Sequence, residues 1–163
     1  MRRIIILIST FFYSGYFPFA SGTAGTIVFL PFYWFIFGRM SWPFYVLSAV
    51  IITLAGIWAS NYAAVIFGKK DPGKVVIDEV AGYMVTMFLI PLSFVNMIMG
   101  FFLSRIFDII KPPPARQFEK LHGGTGIMMD DIMAGVYANI TMHILLHFKV
   151  DAFIEGIISG FLK

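Results

Sequence analysis

Nine carboxylates are spread through 163 residues, and five of them stand where a carboxylate is costly. Asp78, Glu79, Asp108, Asp130 and Asp131 lie in or against apolar stretches, whereas Asp71, Glu119, Asp151 and Glu155 fall in loops or the tail and read as solvated surface. A charge at mid-membrane depth costs about 2.5–3.5 kcal/mol on insertion scales, less near the interface, so five retained acids ask for a chemical reason. Carboxylate oxygens suit Mg²⁺, which keeps several waters and takes one or two protein carboxylates together with a substrate phosphate. Lys111, Arg116 and Arg105 supply charge that pairs with phosphate. Gly22, Gly25, Gly123, Gly124 and Gly126 let backbone N–H groups approach an anion, and Thr23 and Thr26 add hydroxyl donors. His122, in the run Lys120-Leu-His-Gly-Gly-Thr-Gly126, is a candidate phosphate contact or general acid. These residue types point to Mg²⁺-assisted chemistry on a phosphate.

Helix geometry limits that reading. Neighbouring residues on a helix point about 100° apart, so Asp78 and Glu79 cannot both face one ion without an irregular turn, and the same holds for Asp130 and Asp131. One member of each pair is then free to cap a helix or to pair with Arg105, Lys111 or Arg116. Arg105 and Asp108 are three residues apart and share a helix face, where an internal ion pair forms. His143 and His147 are spaced like a metal pair, but lie toward the opposite end of their segment from the acids and read as interfacial.

The elements that must position these groups follow from composition. The apolar set is 59% of the chain, charged residues only 13%, and mean hydropathy is +0.84. A soluble domain is roughly 45–50% apolar even with Gly counted, and a chain this small cannot bury such an excess. That excludes an ordinary soluble domain, a disordered chain and a coiled coil. Cysteine is absent, so there is no disulfide scaffold, thiolate metal site or cysteine nucleophile. The net charge of +3 reads as anchoring charge at a membrane face rather than as a nucleic-acid surface.

The spacing of charge-free stretches predicts an all-α integral membrane protein with about five transmembrane helices, near 23–38, 43–67, 76–92, 94–110 and 128–148. The whole chain, 1–163, reads as one domain. The first twenty residues, interrupted by Gly15, Pro18, Ser21, Gly22 and Gly25, read as a short interfacial or re-entrant segment, not a cleaved signal peptide. The tail from Asp151 to Lys163 is expected at the interface. With five spans, Arg2, Arg3, Lys69, Lys70, Lys74, Lys111, Arg116 and Lys120 fall on one side, and Arg39, Lys149 and Lys163 on the other. That asymmetry places the N-terminus in the cytoplasm. Asp78 and Glu79 then open the third span, Asp108 ends the fourth, Asp130 and Asp131 open the fifth, and the Ser21–Thr26 loop opens the first. All four clusters are expected at the cytoplasmic face. Membrane acids near an arginine also build cation or proton pathways, so a transporter is the rival class. A transporter commonly shows repeats and mid-membrane acids, and neither is visible here.

Several phosphatase chemistries leave no trace. There is no Asp-x-Asp-x-Thr/Val stretch, no Pro-Ser-Gly-His signature, no Walker loop and no Asp-Gly-x2-Ala-Arg pattern. What is present is the run Arg105-Ile-Phe-Asp108-Ile-Ile-Lys111-Pro-Pro-Pro-Ala-Arg116, followed by His122-Gly-Gly-Thr-Gly-Ile-Met-Met-Asp130-Asp131-Ile-Met-Ala-Gly135. It closely resembles the bacterial phosphatidylglycerophosphatase A family. Val76-Ile-Asp78-Glu79-Val-Ala-Gly82 is similar to that family's acidic motif, and Gly22-Thr-Ala-Gly25-Thr26 to its glycine–threonine loop. The resemblance runs from about residue 15 to 140. Two positions depart from it: Ser21 stands where the family often has Pro, and Pro113 where it often has Trp.

The resemblance implies a Mg²⁺-dependent, multi-pass phosphatase of the bacterial inner membrane with its site facing the cytoplasm. Its substrate would be the phospholipid phosphatidylglycerophosphate, hydrolysed to phosphatidylglycerol and phosphate. Metal ligands are expected among Asp78, Glu79, Asp108, Asp130 and Asp131. Catalytic roles are expected for Asp108, Asp130, Asp131 and His122. Phosphate contacts are expected from Lys111, Arg116, Arg105, Thr23, Thr26, Gly22, Gly123 and Gly124. Water and an aspartate remain alternative nucleophiles.

Overall fold

A computed structural model describes residues 1–118 and 120–161, so Glu119 and Lys163 lie outside the described residues. Regular structure there is helical: α1 (Arg2–Ser9), α2 (Ser21–Phe35), α3 (Trp42–Phe67), α4 (Ile77–Thr86), α5 (Phe94–Ile110), α6 (Ala115–Phe118), α7 (Gly123–His147) and α8 (Val150–Phe161), with 3₁₀ turns at Ser14–Tyr16 and Phe37–Arg39.

Local chemistry explains the boundaries. Pro43 sits in the first turn of α3, and Gly68 ends that helix in the left-handed region at φ 67°. Ser93 caps α5 by accepting from the Asn96 N–H at 3.1 Å. Lys111 ends α5 in a left-handed conformation, φ 44°, and Pro112, Pro113 and Pro114 follow, which cannot continue a helix. Phe11, Phe12 and Tyr13 all have positive φ and turn the chain sharply after α1. That helix is eight residues long, a rise of about 12 Å, well short of the ~30 Å hydrocarbon layer. The expected short N-terminal helix is therefore present.

Among the described residues, two helical stretches are long and apolar enough to cross a membrane: Ser21–Arg39 with mean hydropathy 1.3 and Trp42–Phe67 with 1.8. Only 22% of each is buried inside the protein. Phe32, Phe35, Leu47, Leu54 and Trp58 instead point outward. A continuous apolar exterior of this kind is stable against lipid, not water, and the chain associates with a membrane. The predicted segments 43–67 and 94–110 correspond to α3 and α5. The segment predicted at 128–148 starts five residues earlier, at Gly123.

The segment predicted at 76–92 differs more. Its helix α4 is only ten residues long, a rise of about 15 Å, and the non-helical Met87–Ser93 stretch leads on to α5. A helix that stops inside apolar surroundings must have its last carbonyls satisfied by other groups. They are. The Tyr45 hydroxyl donates to the Met84 carbonyl at 2.7 Å. The Asn139 amide donates to the Thr86 and Phe88 carbonyls at 2.9 and 2.8 Å. The Asn96 amide reaches the Pro91 carbonyl at 3.0 Å.

α4 is the buried centre. Val80, Ala81, Gly82, Tyr83 and Met84 are all enclosed, with α7, α3, α2 and α5 packed around it. Tyr83 meets Tyr33 edge-to-face at 5.4 Å and donates its hydroxyl to the Met97 carbonyl at 2.9 Å, so its buried oxygen is satisfied. The α4–α7 contact is the closest in the fold's middle. A Cβ on Gly82 would lie 2.7 Å from the Asp131 carbonyl oxygen. α6 packs on α7, and α8 leans on α5 and α7 without burying any residue.

Candidate active site

The first turn of α4 carries Asp78 and Glu79, where the helix N-terminus favours negative charge. Asp78 accepts from the Glu79 backbone N–H at 3.0 Å, which holds its carboxylate against that turn. Asp131 enters from the third turn of α7. One oxygen from each of Asp78, Glu79 and Asp131 lies within 4.8 Å of the others. The two adjacent acids therefore do converge, contrary to the expectation from helix geometry. The 100° angle separates their Cα–Cβ bonds, while the extra methylene of Glu79 lets its oxygens swing back toward the ring formed with Asp131.

α5 supplies the next layer. Arg105 pairs with Glu79 and lies 3.4 Å from Asp108, the expected three-residue pair. Asp108 also faces Asp131 within hydrogen-bonding reach. Lys111, turned by its left-handed backbone, donates to Asp130 at 2.7 Å and stands 4.0 Å from Asp108. As expected, adjacent Asp130 and Asp131 divide their work: one takes Lys111, the other faces Asp78 and Asp108. Partial burial disfavours the Lys111 ammonium. The hydrogen bond to Asp130, with the fields of Asp130, Asp108 and Asp131, outweighs this and raises its pKa above the ordinary lysine value. Lys111 is thus held as a cation beside the acids.

Gly22, at the start of α2, closes the remaining side. A Cβ there would run into the Glu79 carboxylate and stand 3.0 Å from the Arg105 guanidinium, so any larger residue would have to push that ion pair aside. The four clusters read from the sequence meet at one end of the helix bundle.

Other candidates sit differently. Thr26 is fully buried and donates its hydroxyl to the Gly22 carbonyl at 3.0 Å, so its hydroxyl serves its own helix. Thr23 lines a groove beside Arg105. Arg116 is exposed on α6, and His122 is the exposed residue preceding α7. Gly123 opens α7 at φ 66°, and the Gly124 N–H donates to the Asn61 side-chain oxygen at 2.6 Å. Asn61 is a positioning residue the sequence reading passed over. Its signal was available: a lone amide in the last two turns of an otherwise apolar helix. Asp71, read as solvated surface, is exposed but lines a small cavity with Asp130 and Lys70.

Five carboxylates and two cations, Arg105 and Lys111, make up this cluster. The outer oxygen of Asp130 is buried with no hydrogen-bond partner among the described residues. An all-oxygen, acid-rich set with uncompensated charge suits a hard divalent cation. Asp78, Glu79 and Asp131 are the residues that could hold it.

Removing Lys111 separates structural from chemical roles. Lys111→Met leaves Asp130 buried without its partner, at a cost of about 1–3 kcal/mol in stability. The double variant Lys111→Met/Asp130→Leu is expected to recover thermal stability in detergent while staying inactive. Full recovery of both would show that the pair is structural only.

A family model described as Phosphatidylglycerophosphatase A matches residues 7–146. A Bacteroides thetaiotaomicron protein named "Putative phosphatidylinositol-3-phosphatase" is 41% identical over 143 residues, covering 83% of this chain and 89% of that protein. Phosphatidylglycerophosphatase A of Escherichia coli is 34% identical over 143 residues, covering 86% and 83%. Phosphatidylglycerophosphatase A of Haemophilus influenzae is 37% identical over 100 residues, covering 60% and 61%. No solved structure matches the chain.

Proposed function

Since the chain belongs to the phosphatidylglycerophosphatase A family and is a phosphatase, we propose that it removes the terminal phosphate of phosphatidylglycerophosphate, with Mg²⁺, leaving phosphatidylglycerol. The observation that carries this reading is the meeting of Asp78, Glu79 and Asp131 beside Asp108, Arg105 and Lys111. Phosphomonoester hydrolysis needs little covalent help from a protein. It needs the phosphate positioned and its charge met.

Asp78, Glu79 and Asp131 hold the cation, which when bound supplies charge neutralisation and Lewis acidity at a phosphate oxygen. Lys111, fixed by Asp130, presents its ammonium toward the phosphate. Arg105 is locked by Glu79 and Asp108 and keeps its guanidinium at the rim. Asp108 is our candidate to accept a proton from an attacking water, and His122, exposed just before α7, our candidate to return one to the leaving glycerol oxygen. Family membership tells against the transporter alternative.

The protein lies in the inner membrane as a multi-pass chain with this site at the cytoplasmic face. The eight basic residues on the site's side of the membrane, against three on the other, support that orientation. The half-length α4 with its satisfied carbonyls and the 17-residue α5 complete the crossing set with α2, α3 and α7.

The relative from B. thetaiotaomicron favours a second substrate, phosphatidylinositol 3-phosphate, which is also a phosphomonoester on a phospholipid headgroup. The test is phosphate release by the purified protein in detergent micelles from each lipid, with Mg²⁺ and with EDTA. Release from phosphatidylglycerophosphate is expected to be at least tenfold more efficient and to vanish with EDTA, returning on Mg²⁺ addition. Preference for the inositol lipid would move the substrate assignment. Undiminished release in EDTA would remove the metal.

A further inference from the structure

Beside the acidic cluster, the start of α2 and one side of α5 frame a groove of about 440 Å³. Its walls are Phe101, Phe102 and Ile109 from α5, and its head is formed by Gly22, Thr23 and Arg105. Phe102 and Ile109 are largely exposed, Ile109 at 78%, so the groove opens outward along the bundle. The size is that of a small-molecule site. Its chemistry changes along α5: aromatic at Phe101 and Phe102, cationic and beside the backbone N–H groups that start α2 one turn on at Arg105, with Ile109 a turn beyond. Arg105 links the head to the active site, since the same guanidinium pairs with Glu79. Its Nε–H is buried and has no acceptor among the described residues.

Resting on the phosphatase reading above, we infer that this groove is where the acyl-glycerol part of the lipid substrate lies during turnover. The lipid enters sideways from the membrane between α2 and α5. An apolar chain lies on Phe101 and Phe102, the oxygen-rich glycerol ester and phosphodiester region meets Arg105 and the start of α2, and Ile109 flanks that region from the far side. The terminal phosphate then projects past Gly22 into the carboxylate cluster. An aromatic stretch adjoining an unmet Arg105 Nε–H and the start of α2 matches a substrate whose acyl chains adjoin ester and phosphate oxygens. Selectivity for a lipid over a soluble phosphomonoester would thus be set by α2 and α5, away from the acids.

The experiment compares kcat/KM for diacyl phosphatidylglycerophosphate with that for its deacylated, water-soluble counterpart. Ile109→Trp narrows the groove, and Leu47→Trp, on the outward face of α3, is the control. The ratio of lipid to soluble efficiency is expected to fall at least tenfold in Ile109→Trp and to hold in Leu47→Trp. An unchanged ratio, or an equal fall in both variants, overturns the groove assignment. Hydrolysis of neither substrate by the unaltered protein overturns the phosphatase reading instead, and the groove assignment with it. Independently of any variant, a phospholipid with a photoreactive group near its glycerol end is expected to label residues 101–109. Excess phosphatidylglycerophosphate should suppress that labelling. Labelling that is spread evenly over the outward helices, or that excess substrate leaves untouched, marks ordinary surrounding lipid and overturns the inference.

Discussion

Asp131→Asn is expected to lower kcat by about 10²–10³-fold or more while the protein stays monodisperse in detergent. Loss of one preorganised electrostatic contact to a reacting phosphate has that scale. Asp131 is the most connected acid of the site. It stands within 4.8 Å of the Asp78 and Glu79 oxygens, faces Asp108 and is only 6% exposed. An asparagine keeps the shape but brings a neutral amide where the proposed cation would take a carboxylate ligand. In unaltered protein the five acids repel one another. The substitution therefore relieves charge, and stability is expected to hold or rise slightly. That opposite movement of activity and stability is the signature. Phosphate release measured beside thermal unfolding checks it, and retention of activity within threefold would remove Asp131 from the site.

Gly82→Val is expected to fail differently, by preventing the bundle from forming. A side chain on Gly82 must occupy space taken by the Asp131 backbone, 2.7 Å from its carbonyl oxygen. Backbone cannot swing aside as a side-chain end can. Overpacking in a close-packed core costs about 1–3 kcal/mol and more where nothing can move. Here the displaced backbone also carries the Asp131 carboxylate of the acidic cluster, so residual folded protein is expected to be inactive too. Gly156→Val, on exposed α8 with no atom near its would-be Cβ, is the control and should behave as the unaltered protein. Monodispersity and the thermal midpoint in detergent decide the matter. A Gly82→Val protein with an unchanged midpoint would mean that α4 and α7 are not as closely packed as described.

Much of the site was legible because its residues are expensive where they stand. Acids beside apolar runs, a triple proline after Lys111 and glycines flanking His122 each mark a position where the chain forgoes an easier residue. Charge cost is local information, so a sequence displays it. The boundaries of α3 and α5 were legible for a similar reason: Pro43, Gly68 and Pro112 act on their own backbone. The length of α4 was not. Residues 80–92 carry no charge, and periodicity cannot tell a full span from a half-helix whose last carbonyls are taken up by Tyr45 and Asn139 from other elements.

The convergence of Asp78 with Glu79 was hidden in the same way, because side-chain reach, not helix angle, decides where oxygens meet. So were the tasks of Thr26 and Asn61, since a hydroxyl or amide shows its partner only once the helices are packed. The sequence by itself determined the composition of the site, the family and the need for a lipid surround. Tertiary structure alone decided which acid takes Lys111, which three share one point, and where a groove opens beside them. The first set depends on free energies of single residues against water or lipid. The second depends on distances between residues far apart in the chain, which exist only after the bundle closes.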